Sequence, residues 1–298
     1  MQSPASGGVR FAPSPTGKFH VGNLRTAWIS HQLAVALNLK WVVRFEDIDQ
    51  PRVLADARAN QLQDLAKLNL EPDIELLQSN FKARHWQCFV TGINQEKIYP
   101  CDCSRKEVQQ ALTSMASAPH TAIATYSGRC RTLSKRQFEA TESLAWRFKM
   151  DDQSGKDDFI VARTAKTLNS QGIPDFESFA PSYHLACAID DHDGNYDLLV
   201  RSSDLRDSLF PQRAIQAWLG RIHPIPVFHT SLVTQNDGKR LEKRTRGVTL
   251  DELVANNTSA ARLLEIFQKS FVSSTPILSI EPNFGERLEK ITLSQLGI

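Results

Sequence analysis

A strand, a helix and a second strand follow one another near the start of the chain, and this order restricts the fold more than any other feature. The segment GVRFAPS predicts a short strand that ends at Pro13, and GNLRTAWISHQLAVALN predicts a helix. The apolar run Trp41–Phe45 is typical of a strand that is buried on both faces. A β-α-β unit of this kind predicts a parallel sheet with a right-handed crossover.

The domain organisation follows from where the α/β pattern stops and resumes. The chain has 298 residues, of which 41% are hydrophobic, so it can bury a large core. A looser stretch rich in Ser, Thr and Cys precedes SYHLACAIDDHDGNYDLLVRSSDL, where α/β character returns. We therefore expect a Rossmann-like α/β domain formed by residues 1–100 and 182–246, an insert over 101–181, and a short, mainly helical extension over 247–298.

Composition and charge exclude several classes of protein. No run approaches the roughly 18 apolar residues of a membrane span, and the first residues lack an apolar signal region, so we expect a cytoplasmic protein that does not bind membranes. A net charge of +2 gives no general argument for a nucleic-acid partner. In such a chain an odd number of cysteines argues against a disulfide framework and leaves metal binding or plain burial for Cys88, Cys101, Cys103, Cys130 and Cys187.

The loop APSPTGKFHVGN joins the first predicted strand to the first helix. In a parallel sheet, ligands bind outside the carboxyl ends of the strands, where helix N-termini favour anions such as phosphate. Gly17 and Gly22 would let the backbone approach a ligand, and His20 could donate a hydrogen bond to a phosphate oxygen in a transition state. An ordinary turn rich in proline and glycine is the other interpretation of the same residues.

Four segments resemble one enzyme family. RFAPSPTGKFHVGN resembles the first signature of class I aminoacyl-tRNA synthetases of the glutamate type, whose core is HIGH and is here HVGN. RFEDIDQPR follows at the spacing that this family uses, and YHLACAIDDHDGNYDLLVRSSDL resembles the later active-site segment of the family. KRLEKR occupies the place of the second signature, KMSKS. The resemblance spans residues 9–246 and implies a Rossmann-like catalytic domain that activates glutamate with ATP and Mg²⁺, and releases pyrophosphate.

The resemblance also implies which residues form the active site. It places the glutamate site at Arg10, Phe11, Ala12, Pro13, Ser14, Glu46, Tyr183 and Arg201. Arginines offer forked donors to carboxylates, and Glu46 suits the substrate ammonium group. For ATP it implies His20, Gly22, Asn23 and Lys243, with His20 and Lys243 as the catalytic pair. Taken singly, such arginines more often form surface ion pairs, and such a tyrosine more often packs in a core.

Two features indicate a truncated branch of the family, the glutamyl-Q tRNA(Asp) synthetases. Residues 247–298 are too few for the large anticodon-binding part of discriminating glutamyl-tRNA synthetases. CDC and YSGRC resemble the Cys-x-Cys and Tyr-x-x-x-Cys zinc site of that branch, which implies a structural Zn²⁺ held by Cys101, Cys103, Tyr126 and Cys130. That branch activates L-glutamate without tRNA and esterifies it onto the queuosine base in the anticodon of tRNA(Asp). We expect a monomer with these partners.

The metal site can also be argued from the residues alone. Three cysteines close together in a reduced chain favour Zn²⁺, which prefers thiolates in a closed tetrahedron. Tyrosine is not among the usual zinc ligands, so His120 is an alternative for the fourth position. Three reduced cysteines without metal are the other interpretation.

The second signature departs from the family pattern. It places Arg240 where KMSKS has its first lysine and Glu242 where KMSKS has serine. A carboxylate beside a triphosphate is repelled unless a neighbouring base offsets it. Glu242 therefore keeps open a different function, a catalytically silent paralogue that binds an amino acid or RNA. The catalytic core of a glutamyl-tRNA synthetase that charges a tRNA 3′ end is a further alternative, which the length of the chain disfavours.

Overall fold

The computed structural model describes residues 7–103, 126, 128–132, 143–151, 157–234, 248–270 and 291–292. The chain divides into two compact units, the first formed by residues 1–80, 190–209 and 221–298, and the second by residues 81–189 and 210–220. The second unit contains the whole predicted insert together with flanking segments. The domain bounds inferred from the sequence stay a prediction.

The strands and helices are numbered in chain order. The strands are β1 (Val9–Phe11), β2 (Trp41–Phe45), β3 (Ile74–Leu77), β4 (Ile98–Cys101), β5 (Ser143–Phe148), β6 (Phe159–Ala165), β7 (Ala180–Pro181), β8 (Leu198–Ser202), β9 (Val227–Thr230), β10 (Val233–Thr234) and β11 (Ile291–Thr292). The α-helices are α1 (Val21–Leu37), α2 (Ala57–Lys67), α3 (Lys82–Asn94), α4 (Tyr183–Gly194), α5 (Leu209–Trp218), α6 (Leu250–Ala255) and α7 (Ala260–Ser270). None of the helices in the described part of the chain is both long and apolar enough to cross a lipid bilayer.

The first unit is built on a parallel sheet with the strand order β3-β2-β1-β8-β9. Helix α1 connects β1 to β2, which pair in parallel with Phe11 opposite Val43. On the other side of β1, Phe11 lies opposite Val200. All five residues of β2 are buried. The predicted β-α-β unit and the α/β fold class are therefore confirmed.

The two faces of this sheet differ in chemistry because side chains alternate along each strand. One face is apolar and packs against helices α1, α6 and α7, and its strand residues include Val9, Phe11, Trp41, Val43, Phe45, Leu198, Val200 and Phe228. The strand register places Arg10, Arg44 and Arg201 on the opposite face, near the carboxyl ends of the central strands. All three arginines are buried. We call this the arginine face.

The second unit contains an antiparallel sheet with the strand order β4-β5-β6-β7. One face of β5 carries Leu144, Trp146 and Phe148 into an apolar core with Phe89 and Phe179. Ala145, which alternates with these residues along β5, packs in a smaller cluster on the other face of the sheet. This cluster also contains three residues of the predicted metal site, Cys101, Tyr126 and Cys130. The second unit thus has a sheet of its own, in which strand β4 ends at Cys101.

Candidate functional site

The loop between β1 and α1 is held in place by hydrogen bonds to its backbone carbonyl groups. The Glu46 backbone N–H donates to the Pro13 carbonyl over 2.8 Å. The buried Gln61 side chain donates to the carbonyl oxygens of Ser14 and Gly17 over 3.1 and 2.7 Å. Ala12 is half-buried and Ser14 is exposed at the carboxyl end of β1. The predicted ligand loop is therefore an ordered turn at the edge of the sheet where ligands bind.

His20 is the N-cap residue of α1. Its Nδ1 accepts a hydrogen bond from the Gly22 backbone N–H over 3.1 Å, and its ring is exposed. When Nδ1 accepts, the proton of the neutral ring is on Nε2, which is then the donor atom of the ring. A Cβ atom at Gly22 would lie 3.0 Å from the imidazole ring, so only glycine leaves this ring orientation undisturbed. Asn23 lies in the same turn, with its N–H bonded to the His20 carbonyl.

The described residues on either side of the second signature lie beside this turn. The Val21 N–H donates to the Val248 carbonyl over 2.8 Å, and His20 forms a β-bridge with Thr249. A side-chain carbon of Val233 lies 3.8 Å from the position of a Cβ at Gly22. Of the residues discussed above, Lys243, Arg240, Glu242 and His120 lie outside the described residues. The predicted role of Lys243 stays a prediction.

Arg10 and Arg44 share one buried carboxylate on the arginine face. Arg10 binds Asp191 through Nε at 3.2 Å and Nη2 at 2.7 Å, and Arg44 Nη1 donates to the same side chain over 2.7 Å. Burial alone would raise the pKa of Asp191, but the charges of Arg10 and Arg44 outweigh burial and hold that pKa below its usual range. Asp191 thus already occupies the forked edge of Arg10 that the sequence interpretation assigned to the substrate.

Further polar groups complete this buried network. Arg44 Nη2 donates to Glu46 over 3.2 Å, so the residue predicted to bind the substrate ammonium is oriented by an arginine. Gln78 donates to Asp190 over 2.6 Å, and Arg44 Nε lies 3.8 Å from the same carboxylate. Arg44, Asp190 and Asp191 were not predicted from the sequence as members of the site. An acidic pair directly after the apolar run LACAI of α4 is the signal that could have indicated buried ion pairs.

The remaining predicted glutamate-binding residues occupy different places. Arg201 lies on the arginine face, where its Nε donates to Nε2 of His229 over 3.3 Å on the neighbouring strand. The Phe11 ring packs in the apolar core, with its centroid 6.1 Å from that of Phe19, so only its backbone is available at the strand edge. Tyr183 begins α4 in the second unit and is half-buried, and its predicted role stays a prediction. No sequence signal pointed to His229.

Three cysteines of the second unit form a cluster suited to a metal ion. The sulfur atoms of Cys101, Cys103 and Cys130 all lie within 4.8 Å of one another. The Tyr126 hydroxyl lies 3.7 Å from Cys101 Sγ and accepts a hydrogen bond from the Cys130 N–H over 3.0 Å. Sulfur atoms around tetrahedral zinc are about 3.8 Å apart, as Zn–S bonds of about 2.3 Å require. The three sulfur atoms are therefore suited to a metal ion, and the structure places the Tyr126 hydroxyl beside them.

The electrostatics of the cluster favour one ionised sulfur before any metal binds. A hydrogen bond from Cys130 lowers the pKa of Cys101 against the opposing effect of burial, and Arg147 lowers it further. The same bond and burial raise the pKa of Cys130. None of the five cysteines, all of which are described, forms a disulfide. A dication binding here would displace the remaining thiol protons, since metal ligands must be deprotonated.

Comparison with known proteins identifies the family. Residues 8–279 match the family described as tRNA synthetases class I (E and Q), catalytic domain. The chain belongs to this family. As a class I glutamyl- and glutaminyl-type synthetase it is a ligase, and class I synthetases use ATP. The order of its four sequence segments, its parallel sheet and its HVGN turn are all explained by this membership.

Individual relatives refine the comparison within the synthetase family. A Nocardia farcinica protein named glutamyl-Q tRNA(Asp) synthetase is 31% identical over 294 residues, covering 91% of this chain and 86% of its own. A Neisseria meningitidis protein of the same name is 35% identical over 249 residues, covering 81% and 82%. The crystal structure of a glutamate-tRNA synthetase from Elizabethkingia anophelis matches the fold with a TM-score of 0.67 at 18% identity, covering 98% of this chain and 69% of its own.

Proposed function

We propose that the protein activates L-glutamate with ATP in the absence of tRNA and then esterifies the glutamate onto the queuosine base of tRNA(Asp). The observation that carries the proposal is the arginine face, which lies on the sheet whose β1 strand leads into the HVGN turn of α1. The relatives named glutamyl-Q tRNA(Asp) synthetase, which align with most of this chain, support the choice of RNA substrate. We also propose that Mg²⁺ accompanies ATP and that the protein is a monomer.

In the proposed first step, an oxygen of the glutamate α-carboxylate attacks the α-phosphorus of ATP. A bond forms between that oxygen and phosphorus, the bond to the bridging oxygen breaks, and pyrophosphate leaves with the electron pair. No protein nucleophile is needed, so catalysis consists of positioning and charge stabilisation. His20 Nε2–H and the N-terminus of α1 would stabilise the phosphoryl oxygens, and Lys243 would neutralise the charge on the departing pyrophosphate.

The arginine face would orient the amino acid in that step. Arg201 is proposed to bind a carboxylate of the substrate glutamate. Arg10 could add a single hydrogen bond to the substrate while its Nε and Nη2 groups stay bonded to Asp191. Glu46 would accept the substrate ammonium, with Arg44 fixing its direction. Asp191 therefore acts as the residue that keeps two arginines together beneath the substrate. In the second step, a hydroxyl oxygen of the queuosine cyclopentene ring would bond to the activated carbonyl carbon. The bond from that carbon to the phosphate oxygen would break, AMP would leave with the electron pair, and the hydroxyl proton would pass to the AMP phosphate.

Glutamate-dependent exchange between ATP and pyrophosphate tests the first step. We expect exchange with L-glutamate and no tRNA, and much weaker exchange with L-aspartate or L-glutamine as matched controls. Radiolabelled glutamate should then attach to tRNA(Asp) that carries queuosine and not to the same tRNA with guanine at that position. Charging of tRNA(Glu) at its 3′ end would instead indicate a glutamyl-tRNA synthetase core, and a folded protein without exchange would be a silent paralogue.

We further propose that Cys101, Cys103 and Cys130, together with the Tyr126 hydroxyl, bind one structural Zn²⁺. Metal analysis of protein purified without added zinc should find about one equivalent. Cys103→Ser should lose the metal, whereas Cys88→Ser, a matched change at a cysteine outside the cluster, should retain it. Absence of zinc together with three freely reactive thiols would contradict the site. Full retention in Tyr126→Phe would assign the fourth position to His120 or water.

A further inference from the structure

A buried arginine lies directly against the cysteine cluster. Arg147, on β5, is 6% exposed and donates a hydrogen bond from Nε to Cys101 Sγ over 3.2 Å. Its guanidinium carbon lies 3.7 Å from the centroid of the Tyr126 ring, within the range of a cation–π contact. One side chain thus contacts two of the four proposed metal ligands.

The backbone of β5 and the neighbouring strands hold Arg147 in this position. Arg147 lies directly opposite Tyr99 on β4, which places it on the same face of the sheet as Cys101. The pairing of β5 with β6 shifts register between Trp146 and Arg147, and such bulges re-aim side chains locally. Nη1 donates to the Asp158 carbonyl over 3.0 Å, so both ends of the guanidinium are bonded.

Asp158 is itself fixed by the segments around the cluster. Its carboxylate accepts hydrogen bonds from the Met150 N–H over 2.8 Å, from the Tyr99 hydroxyl, and from Arg131, which follows Cys130 in the chain. Arg147 is therefore bonded to a rigid network and is not a mobile surface cation. Groups held in this way orient metal ligands at little entropic cost.

The charge of the cluster gives Arg147 a second role. Three thiolates and one Zn²⁺ sum to a charge of −1, and an uncompensated buried charge is unfavourable. Asp102, 3.5 Å from Cys130 Sγ, is paired with Arg129 over 2.8 Å, so these two charges cancel, and the guanidinium of Arg147 brings the sum to zero. We propose that Arg147 is a positioning residue of the metal centre, which orients the Cys101 sulfur and the Tyr126 ring and balances the charge of a three-thiolate zinc site. This inference rests on the zinc site proposed above.

Zinc affinity of the full chain, measured by competition with a chelator of known affinity, tests this role. Arg147→Met should bind Zn²⁺ about 10- to 100-fold more weakly, the usual cost of losing a group that orients a ligand. Arg147→Lys should lose less zinc affinity than Arg147→Met, because lysine keeps the positive charge although it lacks the two-sided hydrogen bonding of the guanidinium. Arg163→Met, a matched change at an exposed arginine on β6, should bind zinc as the unaltered protein does.

Cobalt provides a readout that a purely structural role would not change. With Co²⁺ in place of zinc, the sulfur-to-metal charge-transfer band of Arg147→Met should shift, because the hydrogen bond to Cys101 Sγ is lost. If Arg147→Met had the zinc affinity and the charge-transfer band of the unaltered protein, the proposal would be overturned. If Arg147→Met did not fold, an unchanged affinity and an unchanged band in Arg147→Lys would overturn it. A finding that the unaltered protein binds no zinc would also overturn the proposal. The proposed function is tested separately by glutamate-dependent exchange between ATP and pyrophosphate.

Discussion

Asp191→Asn is expected to lower the free energy of unfolding by about 3–5 kcal/mol, the range for breaking a buried ion pair by removing one partner. The substitution keeps the shape of the side chain but leaves Arg10 and Arg44 as buried cations without the carboxylate they share. Urea denaturation of the full chain at pH 7 measures the loss. Glutamate-dependent exchange should also fall, because the two arginines would no longer be held together.

Asp49→Asn is the matched control, because Asp49 pairs with Arg52 at the surface, where the two side chains are 56% and 60% exposed. Exposed pairs contribute at most about 1 kcal/mol, so the control should be nearly as stable as the unaltered protein. Equal losses in the two variants would show that the buried network does not stabilise the fold.

The lowered pKa of Asp191 predicts that its contribution to the free energy of unfolding depends on pH. The pKa of Asp191 is lower in the folded protein than in the unfolded chain, where it is about 3.9. The stabilisation by its charge is therefore fully present above that unfolded value and is lost as the pH falls through the lower folded value. The difference in unfolding free energy between the unaltered protein and Asp191→Asn should be constant near neutral pH and narrow below about pH 4. If this difference in unfolding free energy increased as the pH fell, the assignment of a lowered pKa to Asp191 would be contradicted.

Arg201→Ala is expected to weaken glutamate binding by about 2–5 kcal/mol, since a carboxylate bound at a buried site would lose its charged partner. That range corresponds to roughly 30- to 4,000-fold in the dissociation constant. The glutamate dependence of the exchange reaction without tRNA measures the effect. The Michaelis constant for ATP should change little, because the proposed nucleotide contacts come from His20 and the start of α1.

Arg206→Ala is the control for this experiment. Arg206 is exposed in the turn that follows β8, five residues beyond Arg201. The control should keep the glutamate affinity of the unaltered protein. If Arg201→Ala raised the Michaelis constant for ATP and left that for glutamate unchanged, Arg201 would belong to the nucleotide side of the site, and the assignment of the arginine face would be wrong.

The sequence by itself determined the features that depend on neighbouring residues. The run Trp41–Phe45, apolar except for Arg44, was sufficient to predict a buried strand, and the alternation of strand and helix predicted the parallel sheet. The place of His20 at the start of the first helix follows from the loop that precedes that helix, and the structure makes His20 the N-cap residue. The short spacing between Cys101 and Cys103 likewise limits how far apart their sulfurs can lie. Each of these properties is local, so the order of side chains along the chain is enough to predict it.

Only the tertiary structure decided which charged groups meet. Arg10 and Asp191 are 181 positions apart, and their pairing depends on α4 packing its acidic residues against the arginine face. Arg201 meets His229 because β8 and β9 pair in one register, and Arg147 meets Cys101 across 46 positions because β4 and β5 pair in another. A shift of one residue in either register would turn these side chains to the opposite face. Long-range ion pairs are set by register and packing, which no local sequence pattern encodes.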